Sequence, residues 1–156
     1  MAYAENTTVS ADKSRAEIER TLQRYSADQF MYGWDKNRAM VGFRMFNRQI
    51  KFLLEMPNID DKKYTHTERG KRRIESAIHK EWEKACRSRW RALALVIKAK
   101  LEAVDAGISI FENEFMASIV LPNGKTVGDF MLPQIEQAYE KNIMPHLLPQ
   151  LEQGNE

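Results

Sequence analysis

The residues of this chain whose types and spacing could do chemistry are cations in a row. Lys80, Lys84, Arg87, Arg91 and Lys98 recur at intervals of three, four and seven. On a helix, which advances about 100° per residue, these five fall within roughly a 60° arc running over several turns. Immediately upstream, Arg69, Lys71, Arg72 and Arg73 form a second basic group. Lys and Arg in a line suit a phosphate backbone, because each pairing releases a condensed counterion. Arg can also hold a phosphate through two parallel hydrogen bonds. The chemistry implied is anion recognition, and these nine residues are the candidate nucleic-acid or partner-binding set.

The charge of the whole chain reinforces this. The net charge is +2, but it is segregated. Residues 1–61 carry nine basic and nine acidic side chains, residues 62–100 thirteen and four, and residues 101–156 two and nine. A strongly basic middle points to a polyanion partner. The competing reading is that the acidic C-terminal segment folds onto the basic middle and neutralises it, or that the cations are simply a solvated helix face.

Other chemistry is sparse. Trp82, Trp90 and Tyr64 could stack on bases. Trp82 falls on an apolar stripe and reads as core, Trp90 lies at the edge of that stripe, and Tyr64 is the one expected to be exposed. His66, His79 and His146 are too dispersed for a zinc motif, although His79 and Glu83 would share a helix face. Cys86 sits in the apolar stripe and reads as a buried, inert thiol. Asp60, Asp61 and the acidic stretch 112–114 could hold a cation, as acidic loops occasionally do. No phosphate-binding loop, nucleophile elbow or paired-carboxylate motif is present. The expectation is a binding protein and not an enzyme, with no cofactor and no metal.

The elements that must position the cations are legible from periodicity. Ser14 and Glu17 have capping-box form, and Ile18, Leu22 and Tyr25 follow on one face, which predicts a helix over about 11–25 with residues 1–9 a loose end. The period then becomes two. Phe30, Tyr32 and Trp34 alternate with Gln29, Met31 and Gly33; Ala39, Val41, Phe43 and Met45 alternate with Arg38, Met40, Gly42 and Arg44; and Ile50, Phe52, Leu54 and Met56 alternate with Gln49, Lys51, Leu53 and Glu55. Turns are expected at Asp35-Lys36-Asn37 and at Asn47-Arg48. Three such runs with short links predict an antiparallel meander with one buried face. Pro57 ends it.

Residues 57–73 form a polar connection long enough to imply function or mobility. From Ile74 to Ala106 there is neither Pro nor Gly, and Gly107 stands where a helix-terminating glycine would. Ile78, Trp82, Cys86, Leu93, Ile97, Leu101 and Val104 make its apolar stripe, with the meander expected against Trp82, Leu93 and Ile97. Such a helix would be about 45–50 Å long. Beyond it, Ser109 with Glu112 predicts a shorter helix through Phe111, Phe115 and Ile119. Pro122-Asn123-Gly124 is a turn, flanked by a small hairpin if 119–121 and 125–127 are extended. Thr126 with Asp129 starts a further helix in which Pro133 could introduce a kink. Pro145 and Pro149 break up the tail, and 150–156 reads as a loose end.

The fold class expected is therefore α+β: an N-terminal helix, a three-stranded antiparallel β-meander, a long basic helix, then shorter C-terminal helices. At 156 residues, with 43% hydrophobic and 29% charged residues, the chain is long enough to bury a core as a single domain, 1–156, and is not a disordered composition. One cysteine permits no internal disulfide and fits a reducing compartment. No apolar run approaches a membrane span, and the first ten residues lack a secretory pattern. A cytoplasmic protein without a membrane partner is expected.

The stretches ADKSRAEIERTLQRYSADQFMYGW, RWRALALVIKAKLEAVDAGISIFENEF and IVLPNGKTVGDF resemble a family of bacteriophage and prophage proteins of unknown function. The resemblance implies a phage-encoded or phage-derived accessory protein acting inside a bacterial host cell, and it carries no catalytic residues. The order helix, three strands, helix also resembles the topology of the double-stranded RNA-binding domain. The long connection, the extended second helix and the absence of that domain's glycine–histidine turn pattern depart from it. The function expected is binding of DNA or RNA through the 69–73 segment and the basic helix face. The alternative is a protein-binding inhibitor of a host defence or replication factor.

Overall fold

The computed structural model describes residues 2–144. A long helix α1 (Ala2–Arg24) leads into strands β1 (Gln29–Trp34), β2 (Arg38–Met45) and β3 (Arg48–Glu55). A one-turn helix α2 (Lys62–Thr65) interrupts the connection to the long helix α3 (Glu75–Asp105). The single turn α4 (Phe111–Glu114), a 3-10 turn (Met116–Ser118) and helix α5 (Val127–Lys141) complete the order. The predicted α+β architecture is present. Pro145, Pro149 and the loose end expected at 150–156 lie outside the described residues.

The sheet is the antiparallel meander β1-β2-β3. Its register places Phe30, Phe43 and Ile50 side by side, and likewise Tyr32, Val41 and Phe52. These residues share one face because side chains alternate along a strand. Asp35 closes the first turn: its carboxylate accepts from the backbone N–H of Asn37 at 2.8 Å and of Arg38 at 2.9 Å. The second turn lies one residue earlier than expected, at Phe46 and Asn47, both with positive φ (51° and 59°). Two such residues in succession give the two-residue hairpin turn whose twist matches the strands. Asn47 tolerates that conformation readily; Phe46 does not, and its ring packs edge-on against Phe111 with centroids 5.2 Å apart.

Both long helices lie on the apolar face of the sheet. Ile18 and Leu22 of α1 and Trp90, Leu93, Ile97 and Leu101 of α3 join Val41, Phe43 and Ile50 in one buried cluster. Phe115 is buried within it, 5.7 Å from Phe43 and 4.9 Å from Phe111 between ring centroids. The helices run in the same direction: the Tyr25 hydroxyl, just beyond α1, donates to the Glu102 carboxylate near the end of α3. Helix α3 has the predicted extent, about 46 Å at 1.5 Å per residue, and Gly107 takes the left-handed conformation (φ 73°) after it.

Four local expectations are corrected. Residues 2–9 are helical, so α1 begins well before residue 11 and Ser14 lies inside it instead of capping it. Trp82 lies outside the central cluster that holds Leu93 and Ile97. It belongs to a second cluster with Tyr64, Ile78 and Cys86, and its indole N–H donates to the Pro57 carbonyl at 2.7 Å. Ser109 caps nothing; α4 starts from Ile110 without a side-chain cap and lasts one turn, because Ile119 is drawn into an extended bridge with Ile50 at the edge of β3. Finally, the 57–73 connection is folded, pinned by the second cluster and by a bridge between His66 and Arg72 around Gly70 (φ 81°).

The C-terminal part follows the hairpin alternative. Val120 bridges Thr126 across the Pro122-Asn123-Gly124 turn. The capping box of α5 is formed as expected, with the Thr126 hydroxyl accepting from the Asp129 N–H and the Asp129 carboxylate accepting from the Thr126 N–H, each at 3.1 Å. These bonds hold the Asp129 carboxyl below the usual carboxylate range. Helix α5 continues through Pro133. Among the described residues no helix is long and apolar enough to cross a membrane.

Candidate nucleic-acid interface

The packing of α3 decides where its cations point. Its buried residues recur every three or four positions from Ile78 to Leu101, and the cations occupy another face. Lys80, Lys84, Arg87, Arg91 and Lys98 are all exposed. None of the five is in an ion pair among the described residues.

The acidic segment does not compensate them as far as it is described. Glu102 accepts from Tyr25, which is held above the usual phenol range chiefly by that bond and secondarily by desolvation. Glu114 pairs with Lys100 at 3.4 Å. Asp129 is engaged in its capping box. Glu136 and Glu140 are exposed on α5, which packs against the 3-10 turn, and among the described residues neither is paired with a cation of α3. Repulsion between cations three or four residues apart on α3 is therefore not offset from residues 101–144.

Three of the five cations do more than line a helix. Lys84, Arg87 and Arg91, with Ser88, Ala94 and Leu95, form one wall of an open groove of about 560 Å³. The other wall is α1, through Lys13, Ser14 and Glu17. Four cations thus face one concave space, with Glu17 the one carboxylate lining it among the described residues. Leu95 is 57% exposed on this surface, and among the described residues no aromatic side chain lines it. Lys80 and Lys98 lie on the same face of α3, beyond the groove at either end.

Lys13 was missed because the basic row was sought within a single element. A signal existed: positions 13, 17, 20 and 24 fall on one face of α1, and Lys13, Arg20 and Arg24 are exposed there. That this face borders the α3 row follows only from the parallel packing of the two helices.

The 69–73 group is set apart from the groove. It precedes α3, whereas the groove centres about 20 Å along the axis from Glu75. Arg69, Lys71 and Arg72 are exposed, with Arg72 3.7 Å from Glu75. Arg73 is structural and leaves the candidate set. Its guanidinium donates to the carbonyls of Lys63 at 3.0 Å and Tyr64 at 3.1 Å.

Of the stacking candidates, Trp82 and Trp90 are buried as expected and Tyr64 is corrected. Tyr64 is 7% exposed, against expectation, and Trp90 is 3% exposed. With Trp82 in the second cluster, all three belong to the interior. The exposed aromatics are others, among them Tyr32 and Trp34 on edge strand β1, with the Arg15 guanidinium 4.2 Å above the Tyr32 ring. Among the described residues no group of three or more His, Cys, Asp or Glu side chains is placed to hold a metal ion. Cys86 is buried, and that burial, with a smaller contribution from Glu83, pushes its thiol up to about 11.

No protein-family model, curated protein or solved structure was found to match the chain.

Proposed function

We propose that the chain binds nucleic acid through the phosphate backbone, in the groove between α1 and α3. The observation that carries this reading is the convergence of Lys13, Lys84, Arg87 and Arg91 on one open groove, with no ion pair to any of them among the described residues. A strand lying in the groove would exchange its condensed counterions for these side chains. Among the described residues the lining offers cations, one carboxylate, a serine pair and aliphatic surface, but no ring to stack on a base. Recognition would therefore follow the backbone and be largely independent of sequence. Lys80 and Lys98 would extend the track along α3, and Arg69, Lys71 and Arg72 would meet a longer ligand beyond its N-terminus.

The three stretches that resemble phage and prophage proteins support an accessory role inside a bacterial host. The element order of two helices on one face of a three-stranded meander makes duplex RNA a necessary arm of the test. That test is fluorescence anisotropy with single-stranded and duplex DNA and RNA of equal length at several salt concentrations. Binding that weakens steeply with salt and varies little with sequence is expected. Absence of binding to all four ligands at low salt overturns the reading.

One observation favours a second reading. Leu95 and Val96 are exposed beside the cations, and an apolar contribution of this kind suits an acidic protein surface better than a phosphate strand. The alternative is thus an inhibitor that docks on an acidic patch of a host defence or replication factor. Capture of one host protein that persists after nuclease treatment, without nucleic-acid affinity of the purified chain, would favour it.

A further inference from the structure

Helix α5 has no buried residue. At about 100° per residue, Leu132, Ile135 and Tyr139 form one ridge along it, with Glu136 and Glu140 along the adjoining edge. The ridge is exposed: 65% for Leu132, 42% for Ile135 and 86% for Tyr139. The helix is nonetheless firmly set at its start. The Thr126–Asp129 capping box fixes its first turn, and Gly128 lies so close to the 3-10 turn that a Cβ there would stand 2.9 Å from the Ala117 carbonyl oxygen. It is an amphipathic helix anchored at its start on the 3-10 turn.

The α1–α3 groove has the complementary character. It carries Lys84, Arg87 and Arg91 on one wall and Lys13 on the other, with Leu95 and the aliphatic stems of the cations as its apolar part. An apolar ridge edged by carboxylates is complementary to a groove lined by four cations, with Leu95 and the cation stems for apolar contact and Glu17 the one opposing carboxylate among the described residues, which is a helix-in-groove mode of recognition. Among the described residues none of α5 lines the groove of its own molecule, and the helix is seated on the 3-10 turn. We infer that a second copy of this chain is a ligand of the groove, inserting the ridge Leu132–Ile135–Tyr139 with Glu136 and Glu140 against Arg87 and Arg91. This rests on the groove being the open anion-binding surface described above, and it makes self-association and nucleic-acid binding mutually exclusive.

The test is sedimentation velocity of the full chain over a range of concentrations at low and high salt. Association that weakens with salt is expected. Glu136→Lys with Glu140→Lys, and separately Arg87→Glu with Arg91→Glu, are each expected to raise the dissociation constant by about tenfold or more, since they set like charges against each other across the contact. An equimolar mixture of the two double variants regains association, because each then meets an opposite charge. The α5 variant keeps its nucleic-acid affinity, and oligonucleotide dissociates the wild-type assembly. A monomer at every concentration and salt overturns the inference. So does association that is indifferent to salt and survives Arg87→Glu with Arg91→Glu, which would mean apolar faces pairing elsewhere. If charge reversal and rescue behave as expected but no oligonucleotide binds, the self-association stands and the nucleic-acid reading fails.

Discussion

The Arg73 guanidinium donates to the Tyr64 carbonyl at 3.1 Å, and the same nitrogen donates to the Lys63 carbonyl at 3.0 Å. The end of the one-turn helix α2 is thereby tied to the residues leading into α3. Two carbonyls that the short helix leaves without internal partners are satisfied by a charge-assisted donor. Arg73→Ala is expected to lower stability by about 1–2 kcal/mol, towards the lower part of the range for hydrogen bonds to charged groups because the side chain is only partly buried. Arg69→Ala, Lys71→Ala and Arg72→Ala are expected to stay within roughly 0.5 kcal/mol of wild type, as exposed positions do. Urea melts of the four single variants separate the two behaviours.

The central cluster turns on Phe115, which contacts Phe43, Phe52 and Phe111 and is 1% exposed. Truncation to Ala is expected to cost about 3–5 kcal/mol, since it removes buried area and leaves a cavity. A cost below about 1 kcal/mol in chemical denaturation would mean that this ring is not part of the core.

Cys86 offers a chemical readout of the second cluster. Burial raises its thiol to about 11, so the thiolate is scarce near neutral pH and the sulfur is covered. Thiol reagents are expected to react with the native chain far more slowly than with the urea-unfolded chain. Equal rates in the two states would place Cys86 at the surface.

Two groups make the C-terminal and α1–α3 contacts depend on pH. Asp129 is lowered by its bonds to Thr126. Its contribution is present above the unfolded-state value and is lost as pH falls through the lower folded-state value. Tyr25 is raised by its bond to Glu102. Its contribution is present below the ordinary phenol value and is lost as pH rises through the higher folded-state value. Thr126→Ala is expected to cost about 1 kcal/mol of α5 helix stability, the usual worth of an N-cap. Protection of the α5 amides, relative to the intrinsic exchange rate at the same pH, is expected to fall in that variant and, in wild type, on acidification. No change in α5 protection in either case would remove the capping box as the anchor of this arm.

How much of this was legible in the sequence depended on whether the cause was local. The meander could be read because Val41, Phe43 and Ile50 alternate with outward residues, and α3 because nothing between Ile74 and Ala106 interrupts it. The turn at Phe46 could not, since a bulky residue with positive φ is stabilised there by Phe111, far along the chain. Arg73, Tyr64 and Trp82 were misplaced for one reason. Their roles arise when the 57–73 connection folds back on α3, which no periodicity records. The cations of α3 were found at their helix, but the groove was not, because Lys13 joins them only through helix packing.

The uncompensated row on α3 has its own consequence. Lys84→Glu combined with Arg87→Glu is expected to leave thermal stability unchanged or slightly raised, because each removed like-charge pair relieves a few tenths of a kcal/mol. Clear destabilisation would show that an acidic segment of the same chain covers these residues.

The most direct measurement is the salt dependence of oligonucleotide binding for the wild type and for Lys13→Ala combined with Arg91→Ala, one cation from each wall of the groove. Wild-type affinity is expected to fall with a log–log slope of about −3 to −4, corresponding to four displaced phosphate counterions. The double variant is expected to bind more weakly and to lose about two units of that slope, close to one per cation removed. An unchanged slope and affinity in the variant, or no wild-type binding at low salt, would contradict a phosphate-binding groove between α1 and α3.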